Sequence, residues 1–255
     1  MMWSKFQYYL PITLLGWILA LISMAVFRKK QFNFLNVFLV LAGTVPMIMF
    51  IADLWFYLQT PPFHTVDEAG IWLSVFLTLS GLLFFLVYGV TWMPMMCIVI
   101  SSALLIICFF SHQGFLKYLL PVYQSVWFII HVAAYLVSIA LLIISWLMGL
   151  RSLVAVYAKR DTKLFLLQAD QMVISALVFF TVGLLSGIRW SQQAWGWWWL
   201  WNGEELFGLI TGLAYLFYLL LRQYLPNHEK LQAWVLSLLF IFSAVSWFLL
   251  VNVTG

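Results

Sequence analysis

The chain has 255 residues, of which 65% are hydrophobic, 19% aromatic and only 8% charged, and its mean hydropathy is +1.05. Soluble domains carry about 25% charged residues, so a soluble globular fold is excluded and a polytopic membrane protein is expected. Nearly every segment is either a spanning candidate or a short connector, so residues 1–255 are read as a single membrane domain. The net charge of +4 is no nucleic-acid footprint, because the basic residues are scattered in connectors and form no basic face.

Apolar runs of about 18 residues or more predict an all-α protein of eight transmembrane helices. They cover roughly 7–27, 34–58, 69–88, 92–110, 123–150, 169–190, 204–221 and 231–251. The first run is followed at once by Arg28-Lys29-Lys30, with no small-residue cleavage site, so it reads as a retained helix and not a signal peptide. The boundary between the third and fourth helices rests on Gly89, Thr91 and Pro94. Cys97 and Cys108 are the only cysteines. They stand about 16 Å apart along the fourth helix, too far for a disulfide, and read as packing residues. The absence of C-x-x-C and C-x-x-C-H excludes a thioredoxin-like redox protein and a c-type cytochrome.

Orientation follows from the lysines and arginines of the connectors. One side receives Arg28, Lys29, Lys30, Arg151, Lys159, Arg160, Lys163, Arg222 and Lys230; the other receives Lys5, Lys117 and Arg189. The first side is therefore expected to be cytoplasmic. Both termini and the connector before the seventh helix then face outward, in a bacterial inner membrane or its topological equivalent.

That connector is the most unusual stretch of the chain. Trp195-Gly196-Trp197-Trp198-Trp199-Leu200-Trp201-Asn202-Gly203-Glu204-Glu205 holds five of the 15 tryptophans within seven residues. Glycines and an asparagine break it, so it cannot span a bilayer. Tryptophan favours sites that are apolar on one side and wet on the other. An anchoring belt of the membrane interface is one explanation, but belts spread their tryptophans over several helix ends. Five in one loop favour a platform for a flat, hydrophobic ring system with a polar edge.

The polar residues around this shelf admit two readings each. His131 lies about two turns into the fifth helix from its outer end; an intramembrane histidine is functional by default, though it can serve simply as an interhelical hydrogen-bonding group. Imidazole is also the usual axial ligand of haem iron. Asn202 and Glu205 have the spacing of an N-cap with a capping box, which accounts for them without any ligand. Arg189, beside Trp190, can snorkel to lipid headgroups or pair with a carboxylate at the edge of a bound ring. Asp53 and Asp170 lie near helix ends, where solvation suffices. No carboxylate chain or broken-helix pair indicates a pump or secondary transporter. A nucleophile motif, a Walker loop and a clustered metal site are also missing from the sequence.

Together these residues resemble the tryptophan-rich "WWD" family of haem-handling membrane proteins, the cytochrome c assembly proteins, and in particular its smaller CcsA-like and HemX-like members. The family pattern, close to W-G-x-W/Y-W-x-W-D-x-x-E, is matched from Trp195 to Glu205. Gly187-Ile188-Arg189-Trp190 precedes it in family-like order, and Leu209-Ile210-Thr211, Tyr215, Tyr218, Leu219 and Arg222 follow it. The resemblance covers about residues 127–251; the first four helices match only in being hydrophobic. It implies a haem (haem b, as transient ligand) held at the outer surface. His131 would ligate the iron. Arg189, Trp190, Trp195, Gly196, Trp197, Trp198, Trp199, Trp201, Asn202 and Glu205 would form the rest of the site. It further implies delivery or attachment of haem to apocytochrome c, with a second cytochrome c biogenesis membrane subunit as partner. No self-contained catalytic motif marks the chain as an enzyme by itself.

The chain departs from the family pattern in three ways. No histidine lies deep in a helix, whereas the intramembrane haem-entry site of the large synthases requires one. Asn202 stands for the family's aspartate, which keeps the cap and removes a charge. The family's second outward histidine, after the last helix, has no counterpart before Gly255. That leaves a sixth iron ligand to His64, His112, a partner's side chain or an exogenous group. Two other roles fit the same fold: a HemX-like accessory or regulator of haem biosynthesis, and a non-haem structural subunit with a degenerate loop.

Overall fold

The computed structural model describes residues 2–26, 34–111 and 121–254. Arg28, Lys29, Lys30, His112, Lys117 and Gly255 lie outside the described residues, as does the side chain of Glu204. Among the described residues there are eight α-helices, α1 (Met2–Val26), α2 (Phe34–Leu58), α3 (Val66–Tyr88), α4 (Trp92–Ser111), α5 (Val126–Tyr157), α6 (Lys163–Trp195), α7 (Gly203–Tyr224) and α8 (Glu229–Thr254), with a short 3₁₀ turn at Pro121–Gln124. All eight are long and apolar enough to cross a membrane, so the chain is an integral multi-pass membrane protein. Helices serve here because hydrocarbon has no water to satisfy backbone N–H and C=O groups.

Several helices outrun the apolar runs that announce them. α6 begins six residues before 169 and ends five after 190, because polar residues such as Gln168 and Ser191-Gln192-Gln193 still propagate a helix. α3 starts at Val66, where Thr65 accepts the N–H of Glu68 at 3.1 Å and Gly89 closes the far end in the left-handed region (φ 69°).

The residues divide into two compact units, 1–140 and 141–255, and α5 contributes to both. In the first unit, α1 and α2 meet at glycines. A Cβ on Gly16 would lie 2.5 Å from the Gly43 Cα, and one on Gly43 would lie 2.6 Å from the Trp17 ring. Trp17 is fully buried there, and its Nε1 donates to Thr44 Oγ1 at 3.2 Å. The same device joins α3 to α4, where Gly81 faces Cys97, and Thr78, Ser101 and Ser74 form a short chain of hydroxyl hydrogen bonds. Small residues and hydroxyls are how helices associate when lipid competes equally for apolar side chains. Both cysteines are buried and free, as packing residues should be.

The two aspartates that the sequence left to solvent are paired. Asp53 takes hydrogen bonds from Lys5 (2.9 Å) and Tyr9 (3.1 Å) across α1 and α2. In the second unit Asp170 on α6 is held by Arg222 of α7, with Nε and Nη2 at 2.6–3.0 Å, and by the Tyr218 hydroxyl at 2.8 Å. Arg222 also donates to Gln232 on α8 (2.5 Å), whose amide caps Leu225 O (2.5 Å). One guanidinium thus ties three helices together through bidentate geometry that lysine cannot reproduce.

Gly43→Val is expected to destabilise the first unit by roughly 2 kcal/mol or more, since the added atoms meet backbone and a buried indole that cannot recede. Thermal unfolding in detergent, followed by circular dichroism, measures it. An unchanged midpoint would contradict the glycine contact.

Candidate functional site

α6 stops because Gly196 adopts φ 80°, a left-handed conformation natural to glycine, while its N–H closes on Gln192 O at 3.1 Å. Trp195 therefore belongs to the last turn of α6, and the connector proper is residues 196–202. At its other end Asn202 is an extended N-cap whose Oδ1 accepts the Glu205 N–H at 2.8 Å. This is the cap that the spacing predicts. The return arm differs from an ordinary capping box: Glu205 Oε2 accepts from Leu200 N–H (2.6 Å) and Trp201 N–H (2.8 Å).

Those two bonds bend the connector. Trp201 sits at φ 57°, a region that costs a bulky residue about 1–3 kcal/mol unless its surroundings impose it. Here a carboxylate gripping two consecutive N–H groups imposes it. The result is a shelf of exposed indoles: Trp197 is 67% and Trp201 68% accessible, and Trp195 and Trp198 are also exposed. Trp199 is half-buried and meets Trp201 edge-to-face, centroids 5.9 Å apart. Its Nε1 is buried with no hydrogen-bond partner. Arg189 lies over the Trp198 ring at 5.8 Å and donates to Gln192 Oε1, a cation–π arrangement. Trp190, one residue along α6, is half-buried.

The residues from Arg189 to Glu205 thus come together around one short connector of the second unit. His131 belongs to the first unit, on α5, half-buried, with the Tyr135 ring edge-on at 4.7 Å. His64, named above as one possible iron ligand, also lies in the first unit, in a cluster with two acids that its sequence does not announce. His64, which precedes α3, has a side chain only 3% exposed and lies beside the buried Asp67 and Glu68. The spacing Thr65-x-x-Glu68 is itself a capping-box signal that an α3 starting at residue 69 leaves outside the helix.

Residues 6–255 match the family model described as Cytochrome C assembly protein. The chain belongs to that family. The match takes in α1–α4 as well, so family likeness extends beyond the C-terminal half in which the sequence motifs lie. Among similar proteins is the cytochrome c biogenesis protein CcsA of Chlamydomonas reinhardtii, 33% identical over 109 residues, which cover 40% of this chain and 31% of that relative. The CcsA proteins of Cuscuta reflexa and of Prochlorococcus marinus (strain AS9601) are each 24% identical. They align over 78% of this chain, covering 76% and 75% of their own lengths.

As a member of this family the protein carries a connector whose shape depends on Glu205. Glu205→Ala removes two charge-assisted hydrogen bonds and is expected to cost about 1.5–3 kcal/mol. It should also speed amide exchange at Leu200 and Trp201, measured by hydrogen–deuterium exchange. Asn202→Asp keeps the acceptor and adds a favourable charge at the α7 N-terminus, so the melting temperature should hold or rise.

Proposed function

We propose that this protein binds haem through the tryptophan connector and His131, and presents it for c-type cytochrome maturation. The exposed indole shelf carries this reading. Four large aromatic faces left open by a rigidly capped loop are unfavourable unless something flat and apolar covers them. A porphyrin is such a group, with two carboxylates at its edge. The buried, unpartnered Trp199 Nε1–H and the Arg189 guanidinium are donors suited to those carboxylates. Among the described residues no three His, Cys, Asp or Glu side chains are placed to hold a bare metal ion. A macrocycle that brings its own equatorial nitrogens needs only axial imidazole from the protein.

In this reading His131 supplies that imidazole, and the haem, when bound, supplies the vinyl groups onto which an apocytochrome's thiols add. The chain's own work is to hold the ring, shield it from solvent with indole faces, and anchor its carboxylates. Trp190, Trp195, Trp197, Trp198 and Trp201 offer the faces; Gly196, Asn202 and Glu205 set the loop that displays them. The connector faces outward in a bacterial inner membrane, since Lys159, Arg160, Lys163 and Lys230 gather in the connectors at the opposite helix ends. The partners are an apocytochrome c and a second biogenesis membrane subunit. The names of the similar proteins support this role over regulation of haem synthesis.

Full-length protein purified in mild detergent from haem-replete cells should show a Soret band. His131→Ala should weaken or shift it, and Trp197→Ala with Trp198→Ala should weaken haem retention by about tenfold, equivalent to about 1.4 kcal/mol. A protein that neither carries haem nor takes it up when added would overturn the reading. Alkaline phosphatase fused within residues 196–202 should be active, and fused at 158–162 inactive; the reverse would invert the orientation.

A further inference from the structure

The first unit gathers an unusual set of buried polar atoms at the start of α3. His64 Nδ1 and Nε2, Glu68 Oε1, Asp67 Oδ2, Trp72 Nε1 and Thr60 Oγ1 are all buried and without a hydrogen-bond partner. Buried polar groups are almost always satisfied, so a group of orphans calls for a partner such as water, an ion or a ligand. The backbone around them is firmly set. Glu68 Oε2 accepts the His64 N–H at 2.8 Å, Thr65 accepts the Glu68 N–H, and Ser111 donates to Asp67 Oδ1 at 2.5 Å. Disorder is therefore not what leaves the side-chain atoms unpaired.

Charge points the same way. Asp67 and Glu68 are both buried, and among the described residues no lysine or arginine pairs with either. Two buried carboxylates without a cation are costly. His64 is the nearest candidate, with Nδ1 at 3.5 Å from Glu68 Oε2, close enough for attraction and too long for a good hydrogen bond. Metal-ligating histidines commonly hold their second ring nitrogen against a carboxylate, which fixes the tautomer and leaves the other nitrogen for the metal. In His64 the nitrogen that faces Glu68 is Nδ1, at that longer distance, which leaves Nε2 as the nitrogen turned away from the carboxylate. A ferric porphyrin core carries one net positive charge, which would offset one of the two acids.

His64 precedes α3 and packs against α5, the helix that carries His131. Its ring stacks on Phe128 of α5, centroids 5.6 Å apart and planes 23° apart, and Tyr123 meets it edge-on at 6.1 Å. Phe128 precedes His131 by three residues, hence on the same face of α5 about one turn away.

We infer that His64 is a second axial ligand for the haem iron bound by His131, and that Glu68 is the residue that positions it. The inference rests on the haem reading above. Phe128 and Tyr123 pack against the imidazole, so iron reaches Nε2 only with those rings moved aside.

The test uses full-length, haem-loaded ferric protein and reads coordination by electron paramagnetic resonance and absorption. Wild type should be low-spin, and pulsed measurements on ¹⁵N-histidine-labelled protein should detect two axial imidazoles. His64→Ala should keep haem but become high-spin, with added imidazole restoring the low-spin signal. His112→Ala should remain low-spin. Glu68→Gln should shift the low-spin g-values while Glu68→Asp restores them, an effect that loss of packing alone would not produce. Haem-bound wild type that is high-spin or shows one imidazole would overturn the His64 assignment and leave the haem reading standing. That measurement needs no variant to fold. A low-spin His64→Ala, or loss of the second imidazole in His112→Ala alone, would also overturn it. Wild type that takes up no haem would overturn both.

Discussion

A single carboxylate oxygen shapes the most distinctive part of this protein. Glu205 Oε2 takes the N–H groups of Leu200 and Trp201, and that grip sustains a tryptophan in a left-handed conformation. Without it the segment between α6 and α7 would relax toward ordinary backbone angles, and its indoles would fold onto one another or onto the helix ends. Asn202 and Gly196 serve the same end from either side, one starting α7 and the other stopping α6. The connector thus behaves as a rigid bracket between two helices, although it is only seven residues long. Rigidity suits the role proposed for this surface, since a loop already ordered loses little entropy on binding.

The helical interior follows a different logic. Lipid removes the usual advantage of burying leucine against leucine, so cohesion rests on close backbone approach and on internally satisfied polar groups. Gly16 against Gly43 and Gly81 against Cys97 are the first kind; Trp17 with Thr44, Ser23 with Asn36 (2.6 Å) and the Asp170–Arg222–Gln232 network are the second. Thr13, Ser145, Trp146, Gln168 and Tyr215 each keep one buried atom without a hydrogen-bond partner, whereas around His64 several such atoms gather.

The sequence made the eight helices and the cap at Asn202 legible, because each rests on local pattern: apolar run length for the first, residue type and spacing for the second. Helix ends were less so. Hydropathy falls before helical geometry does, which is why α6 was placed short at both ends and Trp195 was assigned to a loop. The pairing of Asp170 with Arg222 spans 52 residues and has no local signature. His64 could be named from sequence only as one of several possible iron ligands: a connector rich in proline reads as exposed, and only the packing of Phe128 and Tyr123 shows that this imidazole is enclosed. Family likeness in α1–α4 was also beyond reach, since hydrophobic composition alone does not distinguish one membrane helix from another.

The length of α6 has a consequence for the protein's surroundings. Its 33 residues make a rod of about 50 Å, against a hydrocarbon layer of about 30 Å. The excess is taken up by leaning the rod or by letting its ends stand clear of the acyl chains. The tryptophan shelf is mounted directly on one of those ends. A thicker membrane draws the rod upright and a thinner one tips it, so acyl-chain length sets how high the indoles ride above the lipid. Lipid thickness thereby acts on the height of the shelf through the helix that carries it and through no residue of the shelf itself.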